Sequence, residues 1–365
     1  MDEPLPDRPA KGRGAVSNRS GRFEAQRRER TDDGWAQPAA LQDPDDEAPP
    51  LRTTLTVDTS RSIITRNDSP DIPFTQSVNP YRGCEHGCVY CFARPSHAYL
   101  GLSPGLDFET RLFYKPAAPE LLDAELRRPG HEVSPIALGA NTDPYQPVER
   151  ELGLTRRIVE VLAAFRHPFA IVTKSATVLR DLDLLAPLAR QRLVGVCVSV
   201  TTLDRDLARR LEPRAAAPAR RLETIRRLSE AGVPVTVLAS PMIPGLNDHE
   251  LESILAASRD AGAVGAAYIL LRLPLEIGGL FEEWLRAHAP DRAERVLSLI
   301  RQCRDGALYQ TGFGRRMTGS GPYADLLRQR FRLARARLGL EPREYRYDTG
   351  LFRPPPRPGD QLSLL

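Results

Sequence analysis

Three of the five cysteines fall within one short stretch, NPYRGCEHGCVYCFARPS (79–96), at Cys84, Cys88 and Cys91. Thiolates gathered this closely are metal ligands before they are anything else. Gly83 and Gly87 flank the first two and let the backbone fold tightly around a bulky guest. Two guests suit such a loop. One is structural zinc, completed by His86 or His97. The other is an iron–sulfur cluster, usually held by four thiolates, so that three would leave one iron open to a further ligand. Cys197 and Cys303 stand singly and far apart, which leaves no set for a second cluster. Cys303 falls in a helical pattern and reads as packing. Five cysteines in 365 residues do not suggest a disulfide framework.

The elements that position this loop are legible from about residue 76. Near-continuous apolar runs recur at Pro135–Ala140, Phe169–Thr173, Val194–Val200, Val233–Ala239 and Ala266–Leu271. Such runs fit strands buried on both faces of a parallel sheet. Amphipathic stretches lie between them, including Leu154–Phe165, Val178–Ala189, Ala219–Ala231 and His249–Ala261, with Gly232 and Gly262 as stop signals. With a first strand at Ser77–Arg82, six β/α repeats are predicted. Six repeats in roughly 200 residues suit a partial (β/α)6 TIM-like barrel better than a full one, with a doubly wound sheet as the alternative. The cysteine loop then follows the first strand, at the sheet end where barrel active sites gather.

The predicted organisation is a disordered, mixed-charge tail over 1–50, a barrel over 51–275, a helical C-terminal extension over 276–345 and a Pro-rich tail over 346–365. The first segment mixes Arg, Asp, Glu, Gly and Pro and has few large apolar side chains, apart from a candidate anchor at Trp35. Apolar residues make up 41% of the chain, enough for a sizeable core, and the net charge of +4 excludes a histone-like polycation. MDEPLPDRPAKGRG has no apolar signal region. No stretch approaches the roughly 18 apolar residues of a membrane span. The expectation is a reduced, cytoplasmic protein without membrane association.

The CX3CX2C spacing, with aromatic Tyr90 directly before the last cysteine, resembles the signature of the radical SAM superfamily. NPYRGCEHGCVYC, NTDPYQPVE, VTKS and LEPRAAAP further resemble the subgroup related to spore photoproduct lyase, described as DNA-repair-photolyase-like. The resemblance implies a [4Fe–4S] cluster on Cys84, Cys88 and Cys91. It also implies S-adenosyl-L-methionine (SAM) at the open iron, and an electron donor such as ferredoxin or flavodoxin. Reductive cleavage of SAM would give a 5′-deoxyadenosyl radical that abstracts hydrogen from a substrate, with DNA the candidate. A peptide, a tRNA base or a metabolite is the alternative substrate, and a non-catalytic, zinc-stabilised binding module the alternative protein class.

The same resemblance places cofactor-binding candidates at the strand ends. Tyr90 lies in the cysteine loop. Asn141, Thr142 and Asp143 follow the second strand, facing the SAM amino group, unless they only form an Asx turn before Pro144. Lys174 ends the third strand. It is one of only three lysines in an arginine-rich chain, and a compact ammonium suits the SAM carboxylate. Ser199 on the fourth strand shares a face with Cys197 and Thr201. Arg214 could grip a carboxylate bidentately or pair with a nearby acid. Pro241 opens PMIPGLND, matching the loop against adenine, or an ordinary turn with a helix cap at Asn247 or Asp248. Spore photoproduct lyases place a hydrogen-donating cysteine near the end of the second strand. This chain has Leu138, Gly139 and Ala140 there, leaving Tyr145 and Cys197 as the catalytic candidates. Finally, Gln361–Leu365 (QLSLL) resembles a peptide that binds the bacterial sliding clamp, although Leu365 stands where that pattern has Phe.

Overall fold

The apolar runs become strands because both of their faces can be covered. The computed structural model describes residues 9–24, 51–340 and 346–356. Its strands are β1 (Thr54–Val57), β2 (Ile64–Arg66), β3 (Gln76–Val78), β4 (Tyr81–Arg82), β5 (Arg111–Tyr114), β6 (Ile136–Leu138), β7 (Phe169–Thr173), β8 (Val194–Ser199), β9 (Val235–Met242) and β10 (Gly265–Leu270). One seven-stranded sheet has the order β10-β9-β8-β7-β6-β3-β2. From β3 to β10 every pairing in it is parallel, and β2 lies antiparallel at its edge. A doubly wound sheet would reverse its strand order at a switch point. The unbroken chain order here is that of a partial (β/α) barrel with six parallel strands.

Side-chain alternation sorts each strand into two faces. Phe169, Ile171, Val194, Val196, Val198, Val235 and Val237 are buried in one core with Ile158, Leu162, Leu185, Leu188, Ile225, Leu228 and Ile254 of the surrounding helices. Each such aliphatic contributes about 1.5–3 kcal/mol by leaving water. The alternate residues Ala170, Val172, Cys197, Thr236, Leu238 and Ser240 are only half-buried. Apart from Val172 and Leu238 they are small or polar, and they line the barrel's lumen.

The predicted first strand is two. Pro80 interrupts it, having no N–H for a ladder. β3 stays in the barrel, and β4 joins a separate three-stranded sheet, β1-β5-β4. The helical pattern after residue 275 appears as Ile277–His288, Pro290–Gln302 and Gly321–Arg337. Among the described residues no helix is long and apolar enough to cross a membrane.

The expectation of a disordered tail over 1–50 is corrected for residues 9–24. Arg13, Gly14, Ala15, Val16 and Ser17 are buried against the cysteine loop. Composition misleads there because backbone and glycine, rather than large apolar side chains, make the contacts. A Cβ on Gly14 would lie 1.7 Å from the Gly87 carbonyl oxygen, so only glycine can pass. Trp35 and Gln361–Leu365 lie outside the described residues. Residues 346–356 pack on the barrel. Asp348 N–H donates to Arg192 O (3.1 Å), Arg353 N–H to Phe165 O (3.0 Å) and Arg127 Nη1 to Pro355 O (2.7 Å).

Phe352 closes that end over two histidines, its ring centroid 5.4 Å from those of His131 and His167. His167 Nδ1 lies 2.9 Å from Pro168 O and its Nε2 3.1 Å from His131 Nε2. Burial pushes the His167 imidazole down to about 4. The unfolded chain, at about 6.5, therefore binds a proton that the folded chain refuses. This contribution to stability is complete above about pH 6.5 and is lost progressively as pH falls toward 4, amounting to about 2 kcal/mol at pH 5. His167→Asn should reduce the pH 7.5-to-5 fall in the unfolding free energy, read by urea titration, by about that amount. An unchanged slope in the variant would contradict the assignment.

Candidate functional site

The cysteine loop leaves the C-terminal end of β3 by way of β4 and is held by backbone bonds on every side. Cys84 N–H donates to Phe108 O (2.9 Å), Val89 N–H to Leu211 O (3.1 Å) and Cys91 N–H to Cys88 O (3.2 Å). Gly83 and Gly87 both have positive φ, at 79° and 69°. A side chain on Gly83 would strike Phe108 O and Leu112, and one on Gly87 would strike the Glu109 carboxylate.

That carboxylate organises the loop. Arg94 and Glu109 are both fully buried and paired at 2.5 Å. Arg94 also donates to Cys88 O (2.8 Å), Gly87 O (3.1 Å), Pro104 O (3.1 Å) and Gly105 O (2.9 Å). Glu109 accepts the N–H groups of Gly14 (2.9 Å) and Ala15 (2.8 Å) from the N-terminal segment. Arg13 Nη1 donates to Glu109 O (3.0 Å), and its Nη2 to Thr53 Oγ1 (3.2 Å). The segment 12–17 thus straps the cysteine loop from outside. A second apolar core, with Val16, Val89, Tyr90, Leu246, Leu271, Phe281 and Trp284, backs the loop. The C-terminal helices therefore form one wall of the site.

All three thiols are free of disulfides. Burial pushes each above the ordinary thiol value, with Asp143 adding to the effect at Cys84 and Glu212 at Cys88. They would ionise on meeting a cationic guest, as metal-bound thiolates do. Among the described residues no group of three or more His, Cys, Asp and Glu side chains converges on a single-ion site. Each of the histidines considered for zinc keeps a buried Nδ1 without a hydrogen-bond partner. His97 Nε2 lies 2.9 Å from Arg111 O, and His86 Nδ1 lies 3.3 Å from Asp143 Oδ2. The donor set is three thiols on a pre-shaped loop, those of Cys84 and Cys88 buried and that of Cys91 partly so, which fits a wider cluster better than one tetrahedral ion.

Beside the thiols, the structure gathers Lys174, Tyr90, Ser199, Thr201 and Glu212. Lys174 Nζ stands 3.6 Å from Glu212 Oε1 and 5.8 Å from the Tyr90 ring centroid. Burial lowers the Lys174 ammonium from the usual lysine range, opposed by its neighbour Cys88. Glu212 is buried and accepts from the Tyr90 hydroxyl, from Thr201 Oγ1 (2.7 Å) and from Arg221. It is the hub the sequence reading missed. The only signal was its place beside Pro213 and Arg214 in LEPR. Arg214 itself pairs with Glu85, at 3.2 Å.

The loop after β6 is more structural than expected. Asn79 Oδ1 accepts the N–H of Asn141 (2.9 Å), and Thr142 Oγ1 donates to Tyr81 O (3.0 Å). Asp143 accepts Tyr145 N–H (2.9 Å), Thr173 Oγ1 (2.8 Å) and Lys174 N–H (2.7 Å). Burial alone would raise its pKa, but His86 and these N–H groups hold it below the usual carboxylate range. The Asx turn is therefore present, and of this trio Asn141 alone has no side-chain hydrogen bond among the described residues. The Tyr145 hydroxyl donates to Asp181 (2.9 Å), in the core. Cys197 lines the lumen below Ser199, its thiol pushed up to about 11 by burial. Pro241 O accepts from Asn247 Nδ2 (3.0 Å), which also donates to Thr201 O (2.7 Å). Asn247 thus staples this loop and makes no side-chain cap bond.

Residues 78–257 match the family model described as the radical SAM superfamily. An uncharacterized protein of Mycobacterium tuberculosis (strain ATCC 25618 / H37Rv) is 40% identical over 233 residues, covering 63% of this chain and 68% of the relative. An uncharacterized protein of Methanocaldococcus jannaschii is 28% identical over 173 residues, covering 47% of this chain and 62% of the relative. Among solved structures, a cysteine-to-serine mutant of spore photoproduct lyase superposes with a TM-score of 0.57 at 15% identity, over 78% of this chain and 79% of that one. A double mutant of the same lyase with bound AdoMet and dinucleoside spore photoproduct gives a TM-score of 0.57 at 14% identity, over 78% and 79%. At these identities the likeness is one of fold.

The strap and the thiols make a joint prediction about iron. After anaerobic reconstitution, Cys84→Ala, Cys88→Ala and Cys91→Ala should each lose the cluster absorbance, and Cys197→Ala and Cys303→Ala should keep it. Glu109→Gln touches no thiol. It leaves Arg94 buried beside a neutral amide, a defect of about 3–5 kcal/mol, so bound iron should pass faster to a chelator. Iron retained by Cys84→Ala but lost by Cys303→Ala would refute the ligand assignment.

Proposed function

Because the chain belongs to the radical SAM superfamily, whose members use a [4Fe–4S] cluster and SAM and take electrons from a reductant, we propose that it acts on a nucleic-acid-related substrate. The observation that carries the enzyme reading is the strapped loop of three thiols, two buried and one partly buried, at the C-terminal end of a partial barrel. Cys84, Cys88 and Cys91 would hold the cluster. When bound, the reduced cluster and SAM together supply homolysis of a sulfonium C–S bond. The protein's part is to orient and to exclude water. Lys174 offers an ammonium for the SAM carboxylate, kept close by Glu212. Asn141 offers an uncommitted amide on the loop after β6, and Ser199 a hydroxyl on the lumen face. Tyr90, Arg214 and Pro241 shape the surroundings through Glu212, Glu85 and Asn247.

The nucleic-acid reading is supported by the motifs shared with the spore photoproduct lyase subgroup. It is supported also by a fold in common with a lyase solved with dinucleoside spore photoproduct. A peptide, tRNA base or metabolite substrate is the competing outcome. Of the two candidate hydrogen donors, Cys197 is preferred, because it lines the lumen and the Tyr145 hydroxyl is committed to Asp181. A lyase outcome, a cytoplasmic setting and a sliding-clamp contact through Gln361–Leu365 belong to the same proposal.

Two measurements test it. Lys174→Ala should retain iron and bind SAM roughly 10- to 150-fold more weakly, the equivalent of one charge-assisted hydrogen bond at about 1.5–3 kcal/mol. Unchanged SAM affinity in the loaded variant would remove Lys174 from the site. For the substrate, turnover in the presence of deuterated oligodeoxynucleotides carrying thymine photoproducts should place deuterium in 5′-deoxyadenosine. Transfer from a deuterated peptide or tRNA and none from DNA would overturn the nucleic-acid reading and leave the superfamily assignment standing.

A further inference from the structure

The six-stranded barrel has an open side between β10 and β2, and what spans it at the catalytic end is an arginine among aromatic rings. Arg272 lies two residues past β10. Its guanidinium sits 5.3 Å from the ring centroid of Phe92, the residue directly after Cys91, and 6.0 Å from that of Tyr309. Phe92 is 45% exposed, although it adjoins the buried thiol loop. The loop between helices Pro290–Gln302 and Gly321–Arg337 completes the enclosure. It carries Tyr309, Met317 and Phe313, which is 63% exposed, and reaches across the opening to the β2–β3 connection. There Asp71 accepts from Gly314 N–H (2.6 Å) and from Arg316.

The charges here do not balance. Arg272, Arg304 and Arg316 converge on the end of β10 and its covering loop. Arg304 is engaged with four carbonyls: Leu270 O, Leu271 O, Arg315 O and Arg316 O. Arg316 holds Asp71, and Asp305 is taken by Arg315 at 3.6 Å. Among the described residues no carboxylate pairs with Arg272. Its contacts are weak ones, Met317 Sδ at 3.6 Å and the Tyr309 hydroxyl at 3.4 Å, and its Nε is buried with no partner. A guanidinium fork left unpaired in a half-buried site is complementary to an oxyanion. The exposed rings beside it are complementary to a flat π face.

We propose that Arg272, Phe92 and Tyr309 form a substrate subsite at the open side of the barrel, taking an oxyanion carried next to a planar ring. This rests on the reading that the thiol loop holds the reacting cluster, and it adds which part of the substrate is gripped. Phe92 links the two directly, since it follows a cluster ligand in sequence and stacks on the anion-binding group. Arg272 holds the anion, the rings hold the plane, and the intervening atoms of the substrate lie over the lumen. A nucleotide phosphate and an aromatic carboxylate share this chemistry.

The test is calorimetry on reconstituted, SAM-loaded protein with uridine 5′-monophosphate, uridine and benzoate as probes. Uridine 5′-monophosphate should bind about tenfold or more tightly than uridine. Arg272→Ala should erase that difference, Arg272→Lys should keep part of it, and Phe92→Ala should weaken both nucleoside probes. Benzoate binding that needs Arg272, without a phosphate preference, would identify the anion as a carboxylate within the same subsite. Equal binding of all probes by wild type and Arg272→Ala would overturn the proposal. So would loss of SAM affinity in Arg272→Ala, because Arg272 would then belong to the cofactor. Iron content and SAM binding of wild type, measured on the same samples, report separately on the superfamily chemistry.

Discussion

The site depends on one buried ion pair. Arg94 and Glu109 are wholly out of water, where either charge alone would be strongly destabilising. Together they tie down four carbonyls and two amides from three separate segments: the cysteine loop, the 103–105 turn and the N-terminal strap. A loop of three thiols has no regular structure to fix it. Its shape comes from this pair and from two glycines that admit no side chain. The cluster ligands are thus pre-positioned by groups that hold the loop's backbone rather than its thiols, which lowers the ordering entropy left to metal binding.

Around that loop the barrel divides the work by alternation. Outward strand residues are large and apolar and bind the helices. Inward ones are mostly small or polar and leave a lumen. Lys174 and Glu212 stand at its rim as a pair of opposite charges beside the thiols, Glu212 buried and Lys174 partly exposed. Glu212 has three further donors, so Lys174 is held near the site without being fully neutralised. Such a lysine can turn to a carboxylate that arrives with a cofactor. At the opposite rim Arg272 makes no direct ion pair among the described residues, its nearby carboxylate Asp71 being held by Arg316, so the two ends of the opening present cations of different reach, a compact ammonium and a planar fork.

Much of this was legible in the sequence. Buried parallel strands announce themselves by length and apolarity, so five of the six barrel strands were placed within a few residues. The first was not split correctly, because the effect of Pro80 on pairing outweighs the continuity of the apolar pattern. The thiol loop was evident from spacing alone. Glu109, Arg94 and Glu212 were invisible, because in sequence each looks like an ordinary surface charge. The strap was missed for a related reason. Residues 12–17 contribute N–H groups and the absence of a side chain at Gly14, which no hydropathy pattern records. Thr142 and Asp143 show that a motif position can also serve its own turn.

The central claim is that the strapped loop supplies three thiolates and no more, leaving one iron for SAM. Electron–nuclear double resonance on the reduced protein, with isotopically labelled SAM amino nitrogen and carboxylate oxygen, tests it most directly. The account predicts hyperfine coupling from both labelled positions to the cluster, lost when unlabelled SAM displaces the labelled molecule. A cluster that shows no coupling to bound SAM, because a fourth protein ligand already fills its last iron, would contradict it.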